Sequence, residues 1–317
     1  MISLRQHLFS LIAVFVALAV GIAAGSTVVR GPLLDSTRAR LESAEEVIAA
    51  ERAQNELLSA EVAQLDGWAV EGPGQLLDDQ LDGRAVLMVA AGDVDSDVVA
   101  GMIRSVRSAG GSLIGEVRID TVVFEPESTE RLAGALDSAP VDTEVAAAFG
   151  AELARRLLAV VADVTATDRP AEPREALNGA FGDLEDEGLV DLLAVGRDDI
   201  VADGVDIVLL TDRNLADDPT AVLTPLLEIT GSDAGVESLV VGEVGRVLEG
   251  NETPVPSFVA LIREDGRLRD EVATVDNTET FLGWIAVILA VVAMADGEVG
   301  HFGFREGADR SVPSAGP

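Results

Sequence analysis

Apolar and polar positions divide the chain into three successive regimes. No charged residue occurs from Leu8 to Val29, and a helix of that length reaches about 33 Å, enough for the roughly 30 Å hydrocarbon core of a bilayer. The pattern predicts an uncleaved signal anchor over residues 1–30. A cleaved secretory signal is the alternative, and Ala19, Gly21, Ala23 and Gly25 supply the small residues that a cleavage site needs. Arg5 lies before the run and Arg30, Arg38 and Arg40 after it, so the positive-inside count does not fix orientation. A short amino-terminal tail leading into a signal-like segment is how exported anchors start, which places the C-terminal bulk outside the cytoplasm.

The second regime has a period of seven. Leu34, Leu41, Ile48, Asn55 and Val62 follow one another at heptad spacing, and Thr37, Ala44, Glu51, Leu58 and Leu65 lie three positions further on. These are the a and d positions of a coiled-coil stalk over residues 33–66. The single polar a residue, Asn55, is the device that fixes register in a parallel pair, because each copy hydrogen-bonds the other instead of staying unsatisfied in the seam. A parallel homodimer is therefore expected; the alternative is an amphipathic helix folded back on its own domain.

After a joint at residues 67–82, which contains Pro73, the pattern changes to short apolar runs alternating with helical stretches. Ala85–Ala91, a helix from about Ser96 to Ala109, Gly110-Gly111 and Ser112–Ile119 form a βαβ unit. Helices are expected between Glu127 and Ala139, Thr143 and Val161, Pro173 and Glu187, and Thr220 and Ile229. "DGVDIVLLTD" and "ESLVVGEV" read as buried strands. The fold class is α/β: a membrane helix and stalk, then a domain over residues 83–300 with a mainly parallel sheet covered on both faces. The apolar run Phe281–Ala295 reaches only about 22 Å, so a buried helix closing the body is preferred to a second membrane segment. Residues 301–317 are expected to form a flexible tail.

Composition narrows the function classes. Fifty-six acidic residues face 22 basic ones, all arginine, for a formal charge of −34. Free nucleic acid is excluded as an expected partner. The acids spread through every segment, which favours a surface adapted to concentrated salt, as in halophilic proteins, over a local cation trap. Without cysteine there is no disulfide, thiolate metal site or cysteine nucleophile.

Candidate chemistry is sparse. No phosphate loop, GxGxxG or GxSxG motif occurs. Asp93, Asp95 and Asp97 have calcium-loop spacing, but Val98 and Arg104 stand where that loop needs glycine and glutamate. Acids opening a helix explain them instead. His7 and His301 are the only histidines, so a buried histidine dyad or triad is excluded. Met88, Met102 and Met294 lie in apolar settings that read as core. Direct copper ligation would have to use His301, with Glu298 or Glu306 beside it; glycines at 297, 300 and 303 place these residues in a loop, where a site would be weak.

"MISLRQH" followed by "AVFVALAVGIAAGS", the stalk, the "RSAGG" close of the first helix and "VATVDNTETFLGWIAVILAVVAMADGEVGHFG" resemble the actinobacterial MctB copper-transport family. The resemblance runs nearly end to end. It implies a non-enzymatic envelope protein in copper transport or homeostasis, described as an outer-membrane transport protein. It brings no ligand set that maps onto these residues. The residues alone support a second reading, a membrane-anchored coiled-coil dimer that presents an α/β domain to an envelope partner such as a cell-wall hydrolase or a division component.

Overall fold

The computed structural model describes residues 7–23, the single positions 41, 48 and 52, and 77–136, 145–166, 170–193, 204–213, 215, 219–245, 257–305, 307–310 and 313. The chain divides into two units, residues 1–65 and 66–317.

In the first unit residues 7–23 are helical. Leu8, Phe9, Leu11, Ile12, Val14, Phe15, Val16, Leu18, Val20 and Ile22 are all exposed, so the helix is apolar around its whole circumference. Its described length corresponds to about 25 Å, and no helix among the described residues is long and apolar enough to cross a membrane. The rest of the expected anchor, residues 1–6 and 24–30, lies outside the described residues. Of the heptad positions, Leu41 and Ile48 are helical and exposed. Leu34, Asn55, Leu58, Val62 and Leu65 lie outside the described residues.

The second unit is a mixed α/β structure. Strand β1 (Ala85–Ala91), helix α1 (Ser96–Ser108) and strand β2 (Ser112–Ile119) form the expected βαβ unit. Two short 3-10 turns lead into α2 (Thr129–Gly134), followed by α3 (Val145–Val164), α4 (Pro173–Asp186) and β3 (Val190–Leu193). Then come β4 (Val205–Asp212), α5 (Thr220–Gly231), β5 (Val236–Val244), α6 (Phe258–Glu264), α7 (Leu268–Glu271), β6 (Ala273–Val275), α8 (Phe281–Ala295) and β7 (His301–Phe302). The helix expected between Glu127 and Ala139 is shorter than its pattern, because Pro126 and Ser128 sit in a 3-10 turn ahead of it.

The seven strands lie in the order β3-β2-β1-β4-β5-β6-β7. Every pairing is parallel except β2 with β3. Parallel strands need both faces covered, and the period of two shows how. Ala85, Leu87, Val89 and Ala91 point to one core with Phe149, Leu153, Leu177, Phe181, Leu223 and Leu227 from α3, α4 and α5. Val86, Met88 and Ala90 point to the other, with Met102 and Val106 of α1 and Ile285, Ile288 and Val291 of α8. The second apolar run thus packs on the sheet, and Met88 and Met102 are core residues. Gly101 lets α1 meet α8, since a Cβ there would lie 2.2 Å from the Trp284 ring.

The segment assigned by sequence to a tail from residue 301 contains the seventh strand. Thr274 and Val275 of β6 pair with His301 and Phe302, and Phe302 bridges to Arg310. A two-residue strand leaves no periodic signal; Phe302 enters the core with α8, and the rest of what holds it is polar, as the next section describes.

Candidate functional site

Open parallel sheets bind ligands outside the carboxyl ends of their strands where the strand order reverses, here between β1 and β4; the buried carboxylates Glu243 and Asp276 lie further along the same rim, at β4, β5, β6 and β7. Each strand ends there on a polar residue: Asp212 after β4's apolar run, Glu243 near the end of β5, Asp276 after β6 and the segment Gly303–Arg305 after β7. Glu243 and Asp276 are completely buried. An unpaired charge in that position would be costly, and both are heavily bonded.

Ser257 donates its hydroxyl to Glu243 Oε2 at 2.6 Å while its Oγ accepts the Ala260 N–H, so one side chain caps α6 and anchors the carboxylate. Arg305 binds Glu243 Oε1 and donates through Nη2 to the Gly245 carbonyl at 3.0 Å. Arg213 Nη1 stands 3.8 Å from the same Oε1. Burial, and then repulsion from Arg213, push the Arg305 pKa down to about 10, which leaves it charged at neutral pH.

Asp276 is the centre of a second cluster. Its Oδ2 accepts from Arg263 Nη1 at 3.0 Å and from the Arg305 backbone N–H at 3.2 Å, and its Oδ1 accepts from the Phe304 N–H at 2.8 Å. Arg263 also donates to Thr274 Oγ1 at 2.9 Å and to the Phe302 carbonyl at 2.8 Å. Desolvation lowers the pKa of this arginine, and Asp276 opposes the shift.

His301 belongs to this cluster. Its Nδ1 is 2.9 Å from Thr274 Oγ1. That hydroxyl accepts from Arg263 and still carries its own proton, which it can donate to Nδ1 of a neutral ring. Burial lowers its pKa; Asp309 and a hydrogen bond with the Arg269 backbone work against the shift, while the charges of Arg263 and Arg269 add to it. The residue is 3% exposed.

The residues proposed from sequence for a metal are therefore not brought together. Glu298 is exposed and lines a cavity of about 30 Å³ beside β7, whose lining does not include His301. Glu306 lies outside the described residues. Among the described residues no three histidine, cysteine or carboxylate side chains are placed to hold a metal ion. Asp95 accepts the Asp97 N–H at 2.8 Å and caps α1, the helix-opening role expected of the acidic cluster. Glu243, Ser257, Arg263, Asp276 and Arg305 are the residues that the sequence did not mark. Their position at strand carboxyl ends is the signal that could have found the two carboxylates.

The comparison with known proteins takes in almost the whole chain. A family described as "Copper transport outer membrane protein, MctB" matches residues 1–313. The chain belongs to this family. It is 27% identical over 324 residues to a protein of Mycobacterium bovis and to one of Mycobacterium tuberculosis, each named copper transporter MctB. A Mycobacterium leprae protein of the same name is 28% identical. Each alignment takes in 97% of this chain and 98% of the relative. The MctB match thus includes residues 33–66, the sheet and the polar rim alike.

Proposed function

We propose that this chain is a non-enzymatic, membrane-associated envelope protein that serves copper transport or copper homeostasis, as the MctB relatives are named. The observation that carries the reading is the family match over residues 1–313, which leaves no large segment outside the family's architecture. The all-round apolar helix at residues 7–23 supports association with a lipid surface, since a helix without a polar face has no stable place in water. The α/β body faces the outside of the cytoplasm, and the heptads from Leu34 to Leu65 join two copies in parallel. Copper is cargo here: His301 is packed and hydrogen-bonded within β7, so the described body offers it no exposed imidazole.

A strain lacking the gene should become copper-sensitive and divide normally. A cell-separation defect with unchanged copper tolerance would favour the partner-presenting scaffold instead. The membrane assignment is checked separately, by mass spectrometry of the detergent-extracted protein: residues before Ser26 are expected, and a soluble form starting near Ser26 or Thr27 would overturn it.

A further inference from the structure

The segment after β7 is held to the rim by polar contacts, with little apolar burial. Phe304 is 71% exposed and Gly303 has no side chain. To the rim the contacts are Arg305 on Glu243 and on the Gly245 carbonyl and the Phe304 and Arg305 N–H groups on Asp276; further along, Asp309 accepts the His301 N–H and pairs with Arg269 at the surface, the Asp309 and Arg310 N–H groups donate to the His301 carbonyl, and the Gly303 N–H on the Arg310 carbonyl closes the segment on itself. Gly303 has φ +130°, and a Cβ at that position would lie 2.1 Å from the Asp276 carboxylate, so only glycine fits this bend.

Each carboxylate that the segment engages also has an arginine that does not belong to it. Glu243 has Arg213 at 3.8 Å and keeps the Ser257 hydroxyl, and Asp276 has Arg263 at 3.0 Å. Loss of the segment's contacts would therefore leave neither carboxylate without a cationic neighbour, which removes the main obstacle to opening a buried ionic contact.

We propose that Gly303–Arg305 and Gly307–Arg310 form a releasable strap, pivoting at Gly303 and bolted by Arg305, that covers the carboxyl-end rim of β5 and β6. Elements with few buried apolar contacts open at the low end of the stability range, while the strands beneath, buried on both faces, open only with the whole body. In the closed state Arg305 is the rim's own occupant. The forked acceptors it uses, one carboxylate oxygen and one carbonyl, suit a planar guanidinium better than a compact ammonium. A guanidinium-bearing cation, such as an exposed arginine of a partner, is the class of ligand that competes with the closed strap. The inference does not depend on the copper reading.

Amide hydrogen exchange on the full-length chain tests it. The Phe304 and Arg305 amides should exchange at least about a hundredfold faster than those of Leu209 and Val240 in the central strands, through local opening. Arg305→Ala should accelerate the strap amides about tenfold more and leave the central strands unchanged. Methylguanidinium should accelerate them in the wild-type chain where methylammonium does not. Strap amides that exchange in step with the central strands would overturn the proposal even if Arg305→Ala fails to fold. Equal effects of the two cations would overturn the role given to the guanidinium.

Discussion

Removing the Asp276 carboxylate is the sharpest perturbation of the rim. Asp276→Ala removes the carboxylate that Arg263, whose side chain is 2% exposed, binds at 3.0 Å, and it strands the Phe304 and Arg305 N–H groups. Breaking one side of a buried pair costs about 3–5 kcal/mol, because the remaining charge keeps its desolvation penalty without compensation. Against a total stability of about 5–15 kcal/mol, that is about a fifth or more of the folding free energy. For a body of this size it lowers Tm by roughly 6–20 °C at about 2–4 °C per kcal/mol. Thermal and urea unfolding of the full chain would measure it, with Asp276→Asn as a control that keeps shape and one carbonyl acceptor and loses less. Screening reaches buried pairs poorly, so the loss should persist in 1 M salt, whereas any effect of breaking the exposed Arg267–Glu228 pair should vanish there. A loss below about 1 kcal/mol, or one that disappears with salt, would refute the assignment of Asp276 as the buried centre of the network.

Gly101→Leu should destabilise by at least about 1–3 kcal/mol, since the new side chain must displace Trp284 from a filled core; a neutral result in urea unfolding would contradict the packing. His301 gives a pH dependence of known sign. Its folded pKa lies below the ordinary value, so the unfolded chain binds the proton more readily: stability is full above about pH 6.5 and falls as pH drops through the lowered value. His301→Asn, which keeps an acceptor for Thr274, should flatten that part of the curve, and unchanged steepness would contradict the buried neutral ring. Asn55→Leu should tighten association of the full-length chain while broadening its oligomer distribution in sedimentation; a monomer at tens of micromolar, wild type or variant, would remove the stalk.

Strands buried on both faces read as uninterrupted apolar runs, and this is why β1, β2, β4 and β5 and the packing of Phe281–Ala295 were legible in the sequence. Strand β3 has four residues with Asp191 among them, β6 has three and β7 has two, too few for any period to show. The rim was hidden for another reason. Glu243 and Arg305 are 62 positions apart, and Arg263 reaches Asp276 only because α6, α7 and β6 bring them back together. His301 stood out in sequence as a scarce imidazole, and the fold turns it into a hydrogen-bond acceptor in a short strand. Scarcity marked the residue, but its neighbours decide its chemistry.

The most direct test of the account is the copper content of cells lacking this gene, measured by elemental analysis after copper exposure and after return of the gene with and without His301→Asn. The account predicts altered cell copper in the deletion strain and restoration by both versions, because the proposed role is in copper handling and His301 is buried beside Thr274. Unchanged copper content in the deletion strain would contradict the central claim.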